Sequence, residues 1–436
     1  MLAYYVNLAL RSFKRNKGLT MLMIAAIGVG IGGSMTALTV FSALSGNPIP
    51  AKSERLFYPR LDPRPKSDQA ADGEPAEQLT RFDAESLLRD RKADRQAVMV
   101  GGSVAVEPEA SHIRPFIVDA RYTSADFFPM FEAPFRYGGG WSATEDQGRA
   151  QVAVISRALN EKLFSGADST GKSLLVAGRR FQIIGVLDQW RPMPKFYDMT
   201  NDRFSEGEQV FVPFWTALSL KLGIQGSMNC WGDVSADPEG AQALNAPCSW
   251  LQYWVELPTA ERAQAYQSYL QSYSEQQRAA GRFQRPSNVR LHNVMEWLDQ
   301  RGAVPADVRL QLWVALGFLL VCLLNTVGLL MAMFMRRAPE IGVRRALGAS
   351  RRDIFRQFLV EAGTIGLIGG GVGLLLAHIG LWTVRHQSHS YASEVHMGMS
   401  MLLATFVLSV SASLAAGIFP AWRAMQVSPS VQAKLQ

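Results

Sequence analysis

One phosphate-binding pattern occurs in the chain: Gly166, Gly171, Lys172 and Ser173 fill every fixed position of G-x-x-x-x-G-K-[ST]. That spacing cradles phosphate when a strand leads into the loop and a helix leaves it, so that free backbone N–H groups at the helix N-terminus meet the anion. Here the periodicity predicts the reverse. A helix over 156–164, with Ser156 as its N-cap, precedes the string, and strands over 173–177 and 181–187, turning at Gly178 and Arg179, follow it. No apolar strand nearby ends in a magnesium-binding Asp, so the string reads as a turn. Cys230 and Cys248 would close a loop of about 19 residues, and a disulfide there would stabilise by about 3 kcal/mol. Neither has the His or second Cys pair at the spacing that zinc needs. His386, His389 and His396 gather near Glu394 but read as solvated loop residues, so no metal is expected. No nucleophile–base constellation is present, and no catalytic residue is assigned.

The remaining constellation is mechanical. Pro339 suits the first turn of a helix, where its missing N–H costs nothing. Glu340 shares that turn and Arg344 and Arg345 close it, an order that complements the helix dipole and allows an i, i+4 pair. Gly348 is the C-terminal stop, and Ser350 with Asp353 makes a capping box for the next helix. The segment Glu340-Ile341-Gly342-Val343-Arg344-Arg345-Ala346-Leu347-Gly348-Ala349 is therefore a short helix punctuated at both ends, with Ile341, Ala346 and Leu347 as apolar residues for a partner's groove. A basic loop lying on anionic lipid is the alternative that composition allows.

The elements that hold this segment are apolar stretches. Residues 19–44, 310–335, 358–384 and 397–422 run for about 25 residues each, where roughly 20 span the hydrocarbon core. Four transmembrane helices follow. Arg11, Lys14, Arg15 and Lys17 precede the first, and Arg336, Arg337, Arg344, Arg345, Arg351, Arg352 and Arg356 lie between the second and third. Lys and Arg excess marks the cytoplasmic side. Both termini are thus expected in the cytoplasm, with 46–309 outside. That external segment carries 30 basic and 33 acidic residues, so the net +7 of the chain comes from its cytoplasmic edges and gives no support to nucleic-acid binding. The first span is too long for a cleaved signal core and reads as an uncleaved anchor. Gly28, Gly32 and Gly33 in the first span, and Gly366, Gly369, Gly370, Gly371 and Gly373 in the third, are small-residue faces for close helix packing. No run of charge lines the bilayer centre, against a conventional solute channel.

Outside the membrane, 60–78 is rich in Pro, Asp and Ala and reads as a mobile surface excursion. A helix over 79–90 and strands over 98–106 and 113–118 follow. Ser124 opens a capped helical turn, and 152–155 is a buried strand. A strand over 250–257, a helix over 259–280 and a strand over 287–292 make a β-α-β unit, which the early segment can match. The expected organisation is two porter-like halves at about 50–120 and 250–305, with a subdomain at about 121–249 inserted between them.

On these residues the chain resembles the MacB/FtsX-type ABC transporter permeases of the mechanotransmission class. Residues 340–349 look like the family's coupling helix. Ala9-Leu10-Arg11-Ser12-Phe13 is similar to its amphipathic lead-in helix, and Val152-Ala153-Val154-Ile155 through Ser173 and Phe181-Gln182-Ile183-Ile184-Gly185-Val186 to its periplasmic core domain. Ala416-Gly417-Ile418-Phe419-Pro420-Ala421-Trp422-Arg423-Ala424 is similar to its closing motif. The resemblance implies a bacterial inner-membrane protein divided as a lead-in helix (1–18), helix 1 (19–44), a large α+β periplasmic core (45–309), helix 2 (310–335), the coupling helix (336–352), helix 3 (353–384), a short periplasmic loop (385–397), helix 4 (398–422) and a cytoplasmic tail (423–436). It implies no nucleotide-binding domain in this chain, unlike MacB proper, and a separate ABC ATPase subunit that holds ATP and magnesium. It further implies a second permease, identical or paired, and for export a periplasmic adaptor and a TolC-like outer-membrane channel. Efflux or export of an envelope substrate is the leading expectation. Regulation of a cell-wall hydrolase and lipoprotein extraction are the alternatives.

Overall fold

The computed structural model describes residues 13, 17–67, 73–108, 114–201, 203–235, 237–386 and 398–426. The lead-in helix expected over 1–18, the loop bearing His389, Glu394 and His396, and the tail beyond 426 lie largely or wholly outside them. The chain divides into two units, Gly46–Ala303 and the combination of Met1–Ser45 with Val304–Gln436. Helix α1 (Lys17–Ser45) precedes the first of these. Its elements run β1 (Leu56–Arg60), β2 (Leu79–Thr80), α2 (Arg81–Asp90), β3 (Arg95–Pro108), β4 (Phe116–Thr123), α3 (Phe127–Met130), β5 (Phe135–Gly138), α4 (Ala143–Gln147), β6 (Val152–Ile155), α5 (Arg157–Phe164), β7 (Ser173–Val176), β8 (Arg179–Leu187), β9 (Val210–Pro213), α6 (Phe214–Ser219), β10 (Ile224–Gln225), β11 (Asn229–Cys230), β12 (Cys248–Glu256), α7 (Ala260–Ala279), β13 (Arg290–Asn293) and α8 (Val294–Gln300).

A single sheet carries these strands, with the path β13-β1-β12-β3-β4-β9-β6-β8-β5. Strand β1 is antiparallel to both β12 and β13, and β12 is antiparallel to β3. Consequently β1 and β3 run parallel around β12 and connect through α2, while β12 and β13 run parallel around β1 and connect through α7. These are two interleaved split β-α-β units. Residues 121–249 extend the same sheet, entering through the antiparallel β3–β4 pair and the parallel β4–β9 pair.

Residues 96–100 of β3 and all of β12 are buried, so alternate side chains feed two cores, one on each face of the sheet. Val98, Val100, Tyr253 and Val255 meet Leu87 of α2 and Tyr266 and Leu270 of α7. Ala97, Met99 and Trp254 meet Tyr58, Phe127, Phe131 and Trp297 on the other side. Tyr58 stacks on Trp297 at 4.1 Å between ring centres. Beside the second core sits a buried charge cluster, with Arg121 over the Tyr197 ring at 5.3 Å. Arg121 of β4 donates to Asp198 Oδ2 at 2.6 Å and to Glu208, whose other oxygen accepts from the Tyr197 hydroxyl at 2.7 Å, while Lys195 reaches Glu208 at 3.3 Å. It ties the long β8–β9 connection to the sheet.

Several local expectations change. The ends of the 60–78 excursion are buried: Arg60, Asp62, Arg64 and Gln78 are all under 9% exposed, and Asp62 pairs with Arg64 and Arg285. Low hydrophobicity there reflects a salt-bridged connection at both ends, not a loose one. Ser124 does not cap a helix; its hydroxyl accepts from Val98 N–H, and Asp126 holds the N-cap position of α3. The β7–β8 turn is Ala177-Gly178, both at positive φ, because a two-residue turn needs that conformation at each central position.

In the other unit, α1, α9 (Ala306–Met335), α11 (Arg351–Arg385) and α12 (Met399–Met425) are 29, 30, 35 and 27 residues long, all long and apolar enough to cross a membrane. They pack as a ring in which α11 contacts α1 and α12, and α9 closes it. Met23, Ile27, Ile31, Leu330, Phe334, Phe358, Ile365 and Ala421 fill the bundle. Trp313, Leu324, Leu375 and Phe406 are exposed on its surface, as helices solvated by lipid require. The short helix α10 (Ala338–Ala346) joins α9 to α11.

Candidate functional site

Helix α10 is bounded as its residue types dictate. Pro339 lies in its first turn with Glu340, and Arg344 and Arg345 occupy its last. Glu340 and Arg344 pair at 2.8 Å. At the C-terminus Ala349 N–H bonds Arg344 C=O and Gly348 N–H bonds Arg345 C=O, with Gly348 at φ +102. That double closure is a Schellman ending, and the positive φ is why glycine stands there. Ser350 then accepts from Asp353 N–H at 3.2 Å and caps α11. The capping box is half formed: the Asp353 carboxylate takes the Ser350 hydroxyl at 2.5 Å.

The two sides of α10 differ. Ile341 and Gly342 are buried, Ile341 in the same core as Phe334, Ile354 and Phe358. Val343 and Leu347 are 62% and 83% exposed, and Ala346 is exposed beside them. Of the three apolar residues expected to enter a partner's groove, Ile341 therefore belongs to this chain's own core, while Val343, expected in the coupling segment but not among those three, joins Ala346 and Leu347 on the open side. A nine-residue helix with 3.6 residues per turn can serve both sides, since 343 and 347 are one turn apart and 341 lies opposite.

Sequence reasoning also missed the contact that anchors α10. Arg337, at its N-cap, donates from Nη1 to both carboxylate oxygens of Glu361 in α11, at 3.1 and 3.0 Å, with both residues buried. The available signal was Glu361 itself, a single acid in an apolar span, which must find a partner. Farther along α10, Arg344 donates to Gln357 at 2.9 Å.

The glycines expected as one face divide between two neighbours. Gly369 and Gly373 of α11 lie against Ile27 and Ile31 of α1, and Gly28 and Gly32 of α1 lie against Val372 and Leu376. Gly366 and Gly370 instead meet Ser413 and Ser409 of α12, where Ser409 Oγ donates to Gly366 C=O at 2.6 Å. Gly33 and Gly371 face open space.

In the other unit, Cys230 and Cys248 are register partners in β11 and β12 and form a disulfide. The P-loop-like string joins helix α5 to strand β7, the order opposite to a phosphate cradle. Its Ser169 is buried against Asn160, and Lys172 lies over the Phe164 ring at 4.9 Å. His386 Nδ1 contacts the Trp382 carbonyl at 2.8 Å, and the described residues hold no group of three metal-ligating side chains.

Comparison with known proteins adds two family matches. A profile described as MacB-like periplasmic core domain matches residues 20–273, and one described as FtsX-like permease C-terminal matches residues 312–429. Among curated proteins the chain is 26% identical over 316 residues to the pyoverdine export ATP-binding/permease protein PvdT of Pseudomonas syringae pv. tomato, covering 69% of this chain and 40% of that one. It is 23% identical over 435 residues to the macrolide export ATP-binding/permease protein MacB of Salmonella paratyphi A, covering 97% and 59%. The chain thus spans about half the length of these relatives. Among solved structures it is similar to the periplasmic region of MacB from Actinobacillus actinomycetemcomitans, at 11% identity and a TM-score of 0.37, covering 58% of this chain and 95% of that one.

Proposed function

The chain belongs to the MacB/FtsX-type ABC permeases, multi-pass inner-membrane proteins with a large α+β periplasmic domain between the first and second spans, and from that premise we propose that it carries ATP-driven motion from a separate ATPase subunit to that domain. The observation that carries the proposal is the two-sided α10: one side is locked into the bundle through Ile341 and Arg337, and the other presents Val343, Ala346 and Leu347. A partner that grips the open side moves α11, and α11 is in contact with α1 and α12. The ATPase subunit holds ATP and magnesium. Both termini and α10 lie in the cytoplasm, in keeping with the Lys and Arg excess flanking them.

The two relatives export a macrolide and pyoverdine by name, and export of an envelope or periplasmic substrate is the reading we favour. A second permease, a periplasmic adaptor and an outer-membrane channel complete the proposed machine. Co-expression with a candidate ABC ATPase subunit from the same organism tests the docking step. V343E/L347E places two charges on the gripping side without touching the core, and it is expected to lower ATPase recovery with the affinity-tagged permease at least about tenfold, the scale on which truncated or charged interface anchors act. Undiminished recovery would contradict docking at α10.

A further inference from the structure

The Arg337–Glu361 pair does more than fill the bundle. Arg337 is the N-cap of α10, directly after the Arg336 C-cap of α9, and Glu361 lies on α11, about 15 Å along the helix from its start. We propose that this pair is the positioning contact that makes α10 and the cytoplasmic end of α11 one rigid lever; the inference rests on the coupling role of α10 proposed above.

A displacement applied to α10 has two routes. One is to pivot the helix about its ends, the Arg336–Arg337 junction and the Gly348 turn, leaving α11 where it was. The other is to move α11. Among the described residues, contacts of three kinds oppose the pivot. Arg344–Gln357 is a single hydrogen bond, and the Arg344 side chain is 36% exposed. Ile341 lies among Phe334, Ile354 and Phe358, an apolar contact that tolerates sliding. Arg337–Glu361 is buried and charged, with one guanidinium nitrogen held between both carboxylate oxygens. Separating it would take a desolvated charge pair apart, a penalty larger than losing a surface pair. The contact with the steepest cost of separation thus sits at the end of α10 where the helix joins the bundle. Burial also explains why a charged pair is used here, since apolar replacement could match its stability but not its fixed geometry.

Hydrogen exchange on the intact chain in lipid nanodiscs reads the lever without any ATPase. In the wild type, amides of Ala338–Ala346 are expected to be protected to the same degree as those of the first three turns of α11. In E361Q, exchange across α10 accelerates by about tenfold or more, as loss of a buried pair predicts, while β12 and the outer half of α11 keep their wild-type rates. The swap R337E/E361R restores protection. R337K keeps the charge and loses the shared geometry, and serves if E361Q does not insert; it should loosen α10 alone. Unchanged α10 exchange in the inserted variants would overturn the proposal. So would acceleration spread evenly over all four spans, which would make the pair a general stabiliser. Failure of the coupling reading is separable, because it is read by V343E/L347E and ATPase recovery, where Arg337 and Glu361 are intact.

Discussion

Two buried acidic sites in the external unit respond to pH in opposite senses. Asp146 is 5% exposed at the end of α4; desolvation pushes its carboxyl up to about 7, helped by the nearby Asp126 charge, against the Ala125 and Trp215 backbone amides. A carboxyl whose folded pKa is raised keeps its proton longer in the folded state, so folding loses stability as pH climbs from about 4 to about 7, by roughly 2–4 kcal/mol in all. Asp198 and Glu208 behave oppositely. Burial alone would raise them, but Arg121 and then Lys195 outweigh it and hold both below the usual carboxylate range. Their stabilisation is present above the ordinary carboxylate pKa and is lost only in strong acid. Thermal unfolding of the full chain in detergent should therefore show a falling limb between pH 4 and 7 that D146N flattens and R121M leaves in place. R121M removes the main counter-charge of two buried carboxylates, leaving Lys195 on Glu208, and should cost about 3–5 kcal/mol at neutral pH. An unchanged pH profile in D146N would remove Asp146 as the cause.

At the scale of elements, the bundle separates glycines that the sequence presents as equivalent. A Cβ on Gly370 would collide with Ser409 of α12, whereas one on Gly371 meets nothing within 4 Å. G370L should destabilise the bundle by about 1–3 kcal/mol, the usual cost of overpacking, and G371L by much less. Comparable melting temperatures for the two would argue against the α11–α12 contact. That distinction marks where the sequence stops being informative. Uninterrupted apolar length made the four spans legible, and Pro339, Gly348 and Ser350 made the ends of α10 legible, because each acts through local backbone chemistry. The strand at 152–155 was legible as a short, wholly apolar run, and the one at 98–106 from alternation. What the sequence did not contain was the neighbour of each face. Ile341 and Val343 are both apolar and two residues apart, and only the position of Phe358 decides which is core. Strand β1 escaped because Pro59 and Arg60 break its apolar pattern, and the buried Arg60 is held by Glu74 at 2.9 Å and by the Pro75 and Ala76 carbonyls. The Cys230–Cys248 pairing was legible for a simpler reason, two cysteines in one external segment.

At the scale of the molecule, the function proposed above has the chain receive force at one short helix and express it in a domain of some 260 residues that has its own cores. On the proposed reading the bundle transmits because its interior is close-packed and its small residues let helix backbones approach closely, so that a displaced α11 carries its neighbours with it. On the proposed reading the external unit responds through a single sheet that links its two β-α-β units to the 121–249 extension. The most direct test is hydrogen exchange of residues 46–303 in the permease–ATPase complex in nanodiscs, with the ATPase either nucleotide-free or trapped with ATP. The account predicts that ATP changes exchange within 46–303 in the wild type, and that E361Q, with the ATPase still bound, loses that change. Identical exchange in the two nucleotide states of the wild type would contradict it.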